Sequence, residues 1–391
     1  MKIIQVAYKS TISGGEKVLF DLATSLKERG HKVSAVCPDP GQLPDELRKA
    51  GIESTIISFH KTYDLRATRQ LARLIKREKI EVLHSHSMLT NIISRVAGKL
   101  ANVPVSVSTE HLTMDLARGG RGKGLRDRLM AKYYRLLDNF TSRYNQQVIA
   151  VSHAVRDDLI EQGIPTERIT VIQNGINIPD IDPAAGDRIR EELGIKAGET
   201  VVGAVGRLSP QKDYPTLLRA FKEVKKSCPE AVLLIAGDGY LRENLEKLTD
   251  DLGIRERVKF LGYRSDVLEV VSSFDIYALS SLWEGLPLAV LEAMAMGKPV
   301  VATSVPGTKE ALNEEETGFL VPLKEYQSLS QRLIDLIQNP EKARLMGEAG
   351  RRRWNDCFSL TRVIDEHEEL YKTLKTYKKE RPLKIQTLKN T

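Results

Sequence analysis

Short apolar runs of β type alternate with amphipathic helical stretches along this chain, twice over, and that alternation restricts the fold more than any other feature. "KIIQVAY", "KVSAVCP", "EVLHSH", "VPVSVSTEH" and "QVIAVS" read as strands, and segments such as "GEKVLFDLATSLKERG" and "MLTNIISRVAGKLA" between them carry helical spacing. Repeated strand–helix–strand units predict a parallel, doubly wound sheet with helices on both faces. The pattern breaks at "VIQNGINIPDIDPAAGD", rich in Pro, Asp and Gly, and resumes near residue 195 with "TVVGAVGRL", "AVLLIAGDG", "VKFLGY", "DIYALS", "KPVVATS" and "GFLVP". At 391 residues the chain exceeds what one core ordinarily organises. Two Rossmann-like α/β domains are therefore expected, over 1–175 and 176–358, with a last helical region from about residue 359 packing back on the first. Ligands of such sheets meet the carboxyl ends of the strands, so a cleft between the two halves is the natural place for a site.

Composition excludes several other classes. With 41% hydrophobic and 28% charged residues, disorder is not the organising feature. No apolar run approaches the roughly 18 to 20 residues of a membrane span, and "MKIIQVAYKS" turns polar too early for a signal peptide, so a cytoplasmic protein is expected. Cys37, Cys228 and Cys357 are too few and too widely spaced for a disulfide frame or a zinc site. The net charge of +7 is unevenly spread: between Arg118 and Arg143 stand eight basic residues (Arg118, Arg121, Lys123, Arg126, Arg128, Lys132, Arg135, Arg143) against Asp127 and Asp138. Such a segment suits an anionic membrane surface, a polyphosphate substrate or simply a solvated helix face. No nucleic-acid-binding signature accompanies it, and nucleic acid is not an expected partner.

Four polar clusters fall just after predicted strands. Gly14 and Gly15 follow the first strand and precede a helix, where they permit either a tight turn or close approach of backbone to a phosphate or sugar. Glu110 and His111 end another strand, His111 as a packing residue or a catalytic one. Arg207 and Lys212 share a loop leading into a helix, as two surface cations or as a metal-free diphosphate site. The fourth cluster is "SLWEGLPLAVLEAMAMGKPVVATS", with Glu284 and Glu292 separated by seven residues. Pro287 and Gly297 bracket a short helix from about Pro287 to Met296, placing Glu284 before it and Glu292 in its second turn. The two carboxylates cannot share a helical face, and the free N–H groups of Gly285, Leu286 and Leu288 are available to an anion.

Together, with "VIAVSHAVRDDLI", "VIQNGIN", "GRLSPQKDYPTLLRAF", "LLIAGDG" and "VKFLGYRSDV", these clusters resemble the GT-B retaining nucleotide-sugar glycosyltransferases of family 4 (glycosyltransferases group 1) over nearly the whole chain. The resemblance implies two doubly wound domains and a nucleotide-sugar donor, UDP-sugar favoured over GDP-sugar. No cofactor and no metal are implied. Glu292, the second Glu of the E-x7-E motif, is implied to hold the ribose hydroxyls, with Glu284 nearer the sugar. Gly285, Leu286, Pro287 and Leu288 face phosphates or sugar. Arg207 and Lys212 match the diphosphate-binding pair, Gly15 (beside Gly14) the glycine that closes over the donor, and His111 a histidine near the transferred sugar. Tyr263 and Arg264 lie in the loop that frames the base. Asn177 stands where the family often has Asp.

The implied reaction is transfer to an acceptor hydroxyl with retention of configuration. "VLHSHSMLTNIISRVAGKL" and the basic segment after it resemble enzymes of bacterial envelope and exopolysaccharide synthesis, whose acceptors are glycans or lipid-linked sugars. A peripheral seat on the inner face of the membrane is the corresponding expectation. A nucleotide-sugar 2-epimerase and a non-catalytic basic binding protein are the alternatives. Asp180 and Asp182 in "PDIDP" have the DxD spacing of a metal-dependent glycosyltransferase fold, but their proline-flanked position reads as linker.

Overall fold

The computed structural model describes residues 1–59, 64–112 and 125–380, and their side chains except at 125–128, 130–131 and 378–380. The chain forms two compact units: one gathers the described residues up to Gln173 together with those from Leu360 onward, and the other runs from Asn174 to Ser359.

In the first unit, β1 (Lys2–Val6), β2 (Lys32–Cys37), β3 (Glu53–Ile56), β4 (Val82–His86), β5 (Val105–Glu110), β6 (Gln147–Ala150) and β7 (Ile169–Val171) form one sheet in the order β3-β2-β1-β4-β5-β6-β7. Every pairing is parallel. Winding reverses between β1 and β4, and the crevice beyond the carboxyl ends of those two strands is the topological switch point. Ile3, Ile4, Val6, Val82 and Leu83 are buried as a doubly covered sheet requires. The carboxyl halves of β4 and β5 break that rule, burying His84, Ser85, His86, Ser108, Thr109 and Glu110 instead. The helix Leu360–Glu380 closes one face, sending Val363, Ile364 and Tyr371 into a cluster with Ile3, Leu22 and Val107.

The second unit contains β8 (Thr200–Val205), β9 (Ala231–Ala236), β10 (Val258–Gly262), β11 (Ile276–Leu279), β12 (Val300–Thr303) and β13 (Gly318–Val321), ordered β10-β9-β8-β11-β12-β13 and parallel throughout. Here the switch point lies between β8 and β11. Leu217, Phe221 and Leu233 anchor the core on one face, and Phe274, Val290, Leu291 and Met294 on the other. Among the described residues, no helix is long and apolar enough to cross a membrane.

Candidate active site

Gly14 and Gly15 follow β1 at the first switch point and His111 follows β5; Arg207 and Lys212 follow β8 and Glu284 follows β11 at the second, while Tyr263 and Arg264 follow the edge strand β10. In the first unit, the helix Gly14–Glu28 starts one residue after Ser13, so Gly14 and Gly15 are its first two residues rather than a turn before it. Gly15 is glycine for a steric reason. A Cβ there would lie 3.0 Å from His111 Cδ2 and 3.3 Å from His111 Nε2, so the imidazole rests directly against the backbone of the first helical turn. Two residues picked separately in the sequence, 96 positions apart, are thus packed together. Burial pushes the His111 imidazole down to about 4, so it is neutral at physiological pH. Its Nδ1 is buried without a hydrogen-bond partner among the described residues.

The neighbouring Glu110 is held by Asn91 Nδ2 at 2.6 Å and faces Arg95 at 3.7 Å. Arg95 is fully buried and also donates to Asp138 Oδ1 at 2.5 Å and Ser108 Oγ at 2.8 Å. Burial and the Asp138 charge raise the Glu110 pKa, against the pull of Arg95 and Asn91. This network fixes the end of β5 from which His111 projects.

In the second unit the loop after β8 and the loop after β11 are laced together. Lys212 Nζ donates to Glu284 Oε1 at 2.6 Å, Gln211 Nε2 to the Trp283 carbonyl at 3.0 Å, Leu282 N to the Gln211 carbonyl at 2.7 Å, and Ser280 Oγ to the Lys212 carbonyl at 2.7 Å. Glu284 and Lys212 are both largely buried, so the first carboxylate of the pair already has a partner in the Lys212 ammonium. The Lys212 ammonium has three donors and Glu284 occupies one. Arg207 is exposed, and its guanidinium makes no hydrogen bond to a described residue. A Cβ at Gly307 would lie 2.5 Å from the Gly285 carbonyl oxygen, so the next helix start backs the loop at backbone contact.

The helix after this loop is Leu288–Ala295, with Pro287 as its cap at φ −74°, ψ 115° instead of its first residue. Lys298 N, Gly297 N and Met296 N return to the Ala293, Met294 and Glu292 carbonyls, and Gly297 takes φ +67°, which ends the helix where the sequence predicts. The backbone N–H groups of Gly285, Leu286 and Leu288 donate to no described residue. Glu292 sits half-buried in the second turn, and its charge is among those that, after burial itself and the Tyr214 phenol, push the Tyr277 phenol well up. Tyr263 is exposed in the loop after β10. Arg264 donates to Asp266 at 2.6 Å and to Glu192 at 2.7 Å, which ties its guanidinium into the scaffold.

The structure adds residues that sequence reasoning passed over. Asn174 Nδ2 donates to the Leu286 carbonyl at 3.1 Å, so the "NGIN" turn positions the loop before the helix Leu288–Ala295 through its first Asn rather than through Asn177. Gln211 does the same from the other side. His84 and His86 stack toward His111; their signal was two histidines at i and i+2 in a strand whose residues are all buried.

The other two features lie apart. Asp182 accepts from Ala184 N at 3.0 Å and pairs with Arg188, so "PDIDP" starts the helix Ala185–Glu192. Among the described residues, no group of three or more His, Cys, Asp or Glu is arranged to hold a metal. Of the basic segment, Arg118, Arg121 and Lys123 lie outside the described residues, as do the side chains of Arg126 and Arg128. Its described part is the helix Leu125–Ser142, which exposes Leu129, Tyr133, Leu136 and Phe140 at helical spacing beside Lys132 and Arg135.

Comparison with known proteins accords with this geometry. Residues 12–179 match the model for Glycosyltransferase Family 4, and residues 186–353 that for Glycosyl transferases group 1. The UDP-Gal:alpha-D-GlcNAc-diphosphoundecaprenol alpha-1,3-galactosyltransferase of Escherichia coli is 27% identical over 95% of this chain and 96% of its own. The N-acetyl-alpha-D-glucosaminyl L-malate synthase of Bacillus anthracis is 25% identical over the same shares. The fold is that of Anabaena HepE, solved in complex with UDP-glucose, at a TM-score of 0.84 and 23% identity over 95% of this chain and 100% of that one. With both halves matched in order, the chain belongs to the GT-B glycosyltransferases of the family 4 and group 1 type, enzymes of sugar transfer.

Proposed function

We propose that the protein is a retaining glycosyltransferase that takes a sugar from a UDP-sugar and places it on the hydroxyl of a lipid-linked glycan, without a metal. The observation that carries the reading is the array at the second switch point: Lys212, exposed Arg207 and three N–H groups at a helix start that donate to no described residue, with Glu292 one turn further on. A diphosphate needs such donors, and the second carboxylate suits the ribose hydroxyls. In the proposed step the bond from the sugar's anomeric carbon to the diphosphate breaks. The acceptor oxygen then bonds to that carbon on the same face, and its proton passes to the departing β-phosphate oxygen. Arg207, Lys212 and the N–H groups stabilise the charge that grows on the diphosphate. Gly15 admits the sugar close to the helix backbone, His111 takes a sugar hydroxyl, and Tyr263 covers the base while Arg264 braces its loop. UDP is favoured because HepE binds UDP-glucose and the E. coli relative uses UDP-Gal.

Thermal shift with UDP, GDP, ADP and their sugar conjugates tests donor choice, since a ligand at 100 times its dissociation constant stabilises by about 2.7 kcal/mol. Glu292→Gln should weaken UDP binding by about 1.5 to 3 kcal/mol, the range for a charge-assisted hydrogen bond. Unchanged affinity in the folded variant would remove Glu292 from the site.

The envelope or exopolysaccharide setting rests on two supports. One is the diphosphoundecaprenol substrate in the E. coli relative's name. The other is the helix Leu125–Ser142, whose exposed Leu129, Tyr133, Leu136 and Phe140 run beside cations, as in a helix that lies in an anionic membrane interface. Co-sedimentation with vesicles should require anionic lipid and fade with salt, each nearby cation contributing about 1 kcal/mol at low salt. Leu136→Asp should weaken it at every salt concentration. Equal partitioning to neutral and anionic vesicles, or none to either, would contradict the membrane seat.

A further inference from the structure

Four histidines form a buried stack through the first unit. Ring centroids are 5.6 Å apart from His367 to His84, 4.3 Å from His84 to His86, and 5.5 Å from His86 to His111. The stack joins the helix Leu360–Glu380, through β4, to the His111 side chain against Gly15. Edge contacts tie it together: His84 Nδ1 lies 2.6 Å from the Tyr371 hydroxyl and His84 Nε2 2.7 Å from Thr109 Oγ1, while His86 Nε2 lies 2.9 Å from Gln5 Oε1 and His86 Nδ1 3.3 Å from His111 Nε2. Burial depresses the pKa of all four imidazoles. Each is therefore neutral, with one ring nitrogen protonated and the other bare.

Neutrality makes the hydrogen-bond polarity a single choice along the chain of rings. Gln5 fixes that choice, because its amide oxygen is the end turned to His86, 2.9 Å from Nε2. An amide oxygen only accepts.

We propose that Gln5 and His86 are positioning residues that set the tautomer of His111: Gln5 Oε1 accepts from His86 Nε2–H, His86 Nδ1 accepts from His111 Nε2–H, and His111 Nδ1 is left as a bare acceptor. That atom is the one buried without a hydrogen-bond partner among the described residues. The ligand group it fits is an O–H donor, and assigning that donor to a sugar hydroxyl rests on the function proposed above. With the opposite polarity His111 would present an N–H and would suit a carboxylate or phosphate oxygen instead. The fixed tautomer thus decides which end of a sugar nucleotide His111 can serve.

The test is the protonation pattern of the ring nitrogens in the full-length protein labelled with 15N-histidine, read by long-range 1H–15N correlation at neutral pH. His111 and His86 should each carry the proton on Nε2. Two variants follow: His86→Phe keeps a ring in the stack but removes the acceptor, and Gln5→Met keeps the side chain's length but removes the oxygen. In both, His111 should lose its single tautomer, and turnover should fall about tenfold, the scale of one hydrogen bond. A proton on His111 Nδ1 in the unsubstituted protein would overturn the inference, and that result needs no variant to fold. An unchanged tautomer in both folded variants would overturn it as well. Adding UDP-sugar separates the two proposals: Nε2 protonation with no change at Nδ1 on donor binding supports the relay and contradicts the sugar reading of His111.

Discussion

Replacing Arg207 or Lys212 by alanine should lower kcat by about 100-fold or more while the KM for the sugar nucleotide changes less, the pattern of a lost oxyanion stabiliser. The reason is where charge appears. The diphosphate is anionic before the reaction, but breaking the sugar–phosphate bond adds charge to one oxygen, and preorganised cations act most strongly there. The two residues should differ in stability. Arg207 is exposed and can be removed at little cost, whereas Lys212 leaves a largely buried Glu284 without its 2.6 Å partner. Urea denaturation should therefore show Lys212→Ala less stable than Arg207→Ala, and Lys212→Ala with Glu284→Gln should recover stability without recovering kcat. Full kcat in both single variants would mean that other groups hold the diphosphate.

Acid should unfold the first unit steeply between about pH 6.5 and 4. His84, His86, His111 and His367 titrate near 6.5 when unfolded, but burial holds all four down in the folded chain, His111 and His367 to about 4. In that window the unfolded chain binds more protons, so stability is present above pH 6.5 and is lost as pH falls. His111 and His367 alone amount to about 3 kcal/mol each across the window, a large share of ordinary domain stability. Glu110 works the other way: its raised pKa leaves the folded state holding a proton that the unfolded state has released, which cancels one of the four. Unfolding free energy measured in urea at successive pH values should therefore drop with a slope of two to three protons, about 3 to 4 kcal/mol per pH unit. A flat profile would show that the histidines charge without unfolding the chain.

The fold was legible where strands are buried on both faces, because such strands are continuous apolar runs. The two strands that the pattern did not announce, β3 and β7, are the two edges of the first sheet, and no residue of either is fully buried. An edge strand half in solvent carries no continuous apolar signal. The helix Met88–Ala101 coincides with the stretch read from its helical spacing, and in the structure Asn102 ends it in the left-handed conformation. In the site, Gly15, Lys212 and Glu284 were visible as residue types at strand ends, but their pairings were not: Gly15 with His111 and Lys212 with Glu284 are long-range contacts. Asn174 was hidden because its role is exerted on the backbone of Leu286, 112 residues on. The histidine stack was hidden because β4 looks like an apolar strand with polar intrusions until its neighbours are known.

Metal-free sugar transfer from a nucleotide donor is read out as nucleotide release by the purified protein in excess chelator, with and without a polyprenyl-diphosphate-linked sugar acceptor. UDP should appear from a UDP-sugar only when acceptor is present, and NMR of the product should show the donor's anomeric configuration retained. Release at the same rate without acceptor, an inverted product, or turnover that requires added Mg²⁺ or Mn²⁺ would contradict the account.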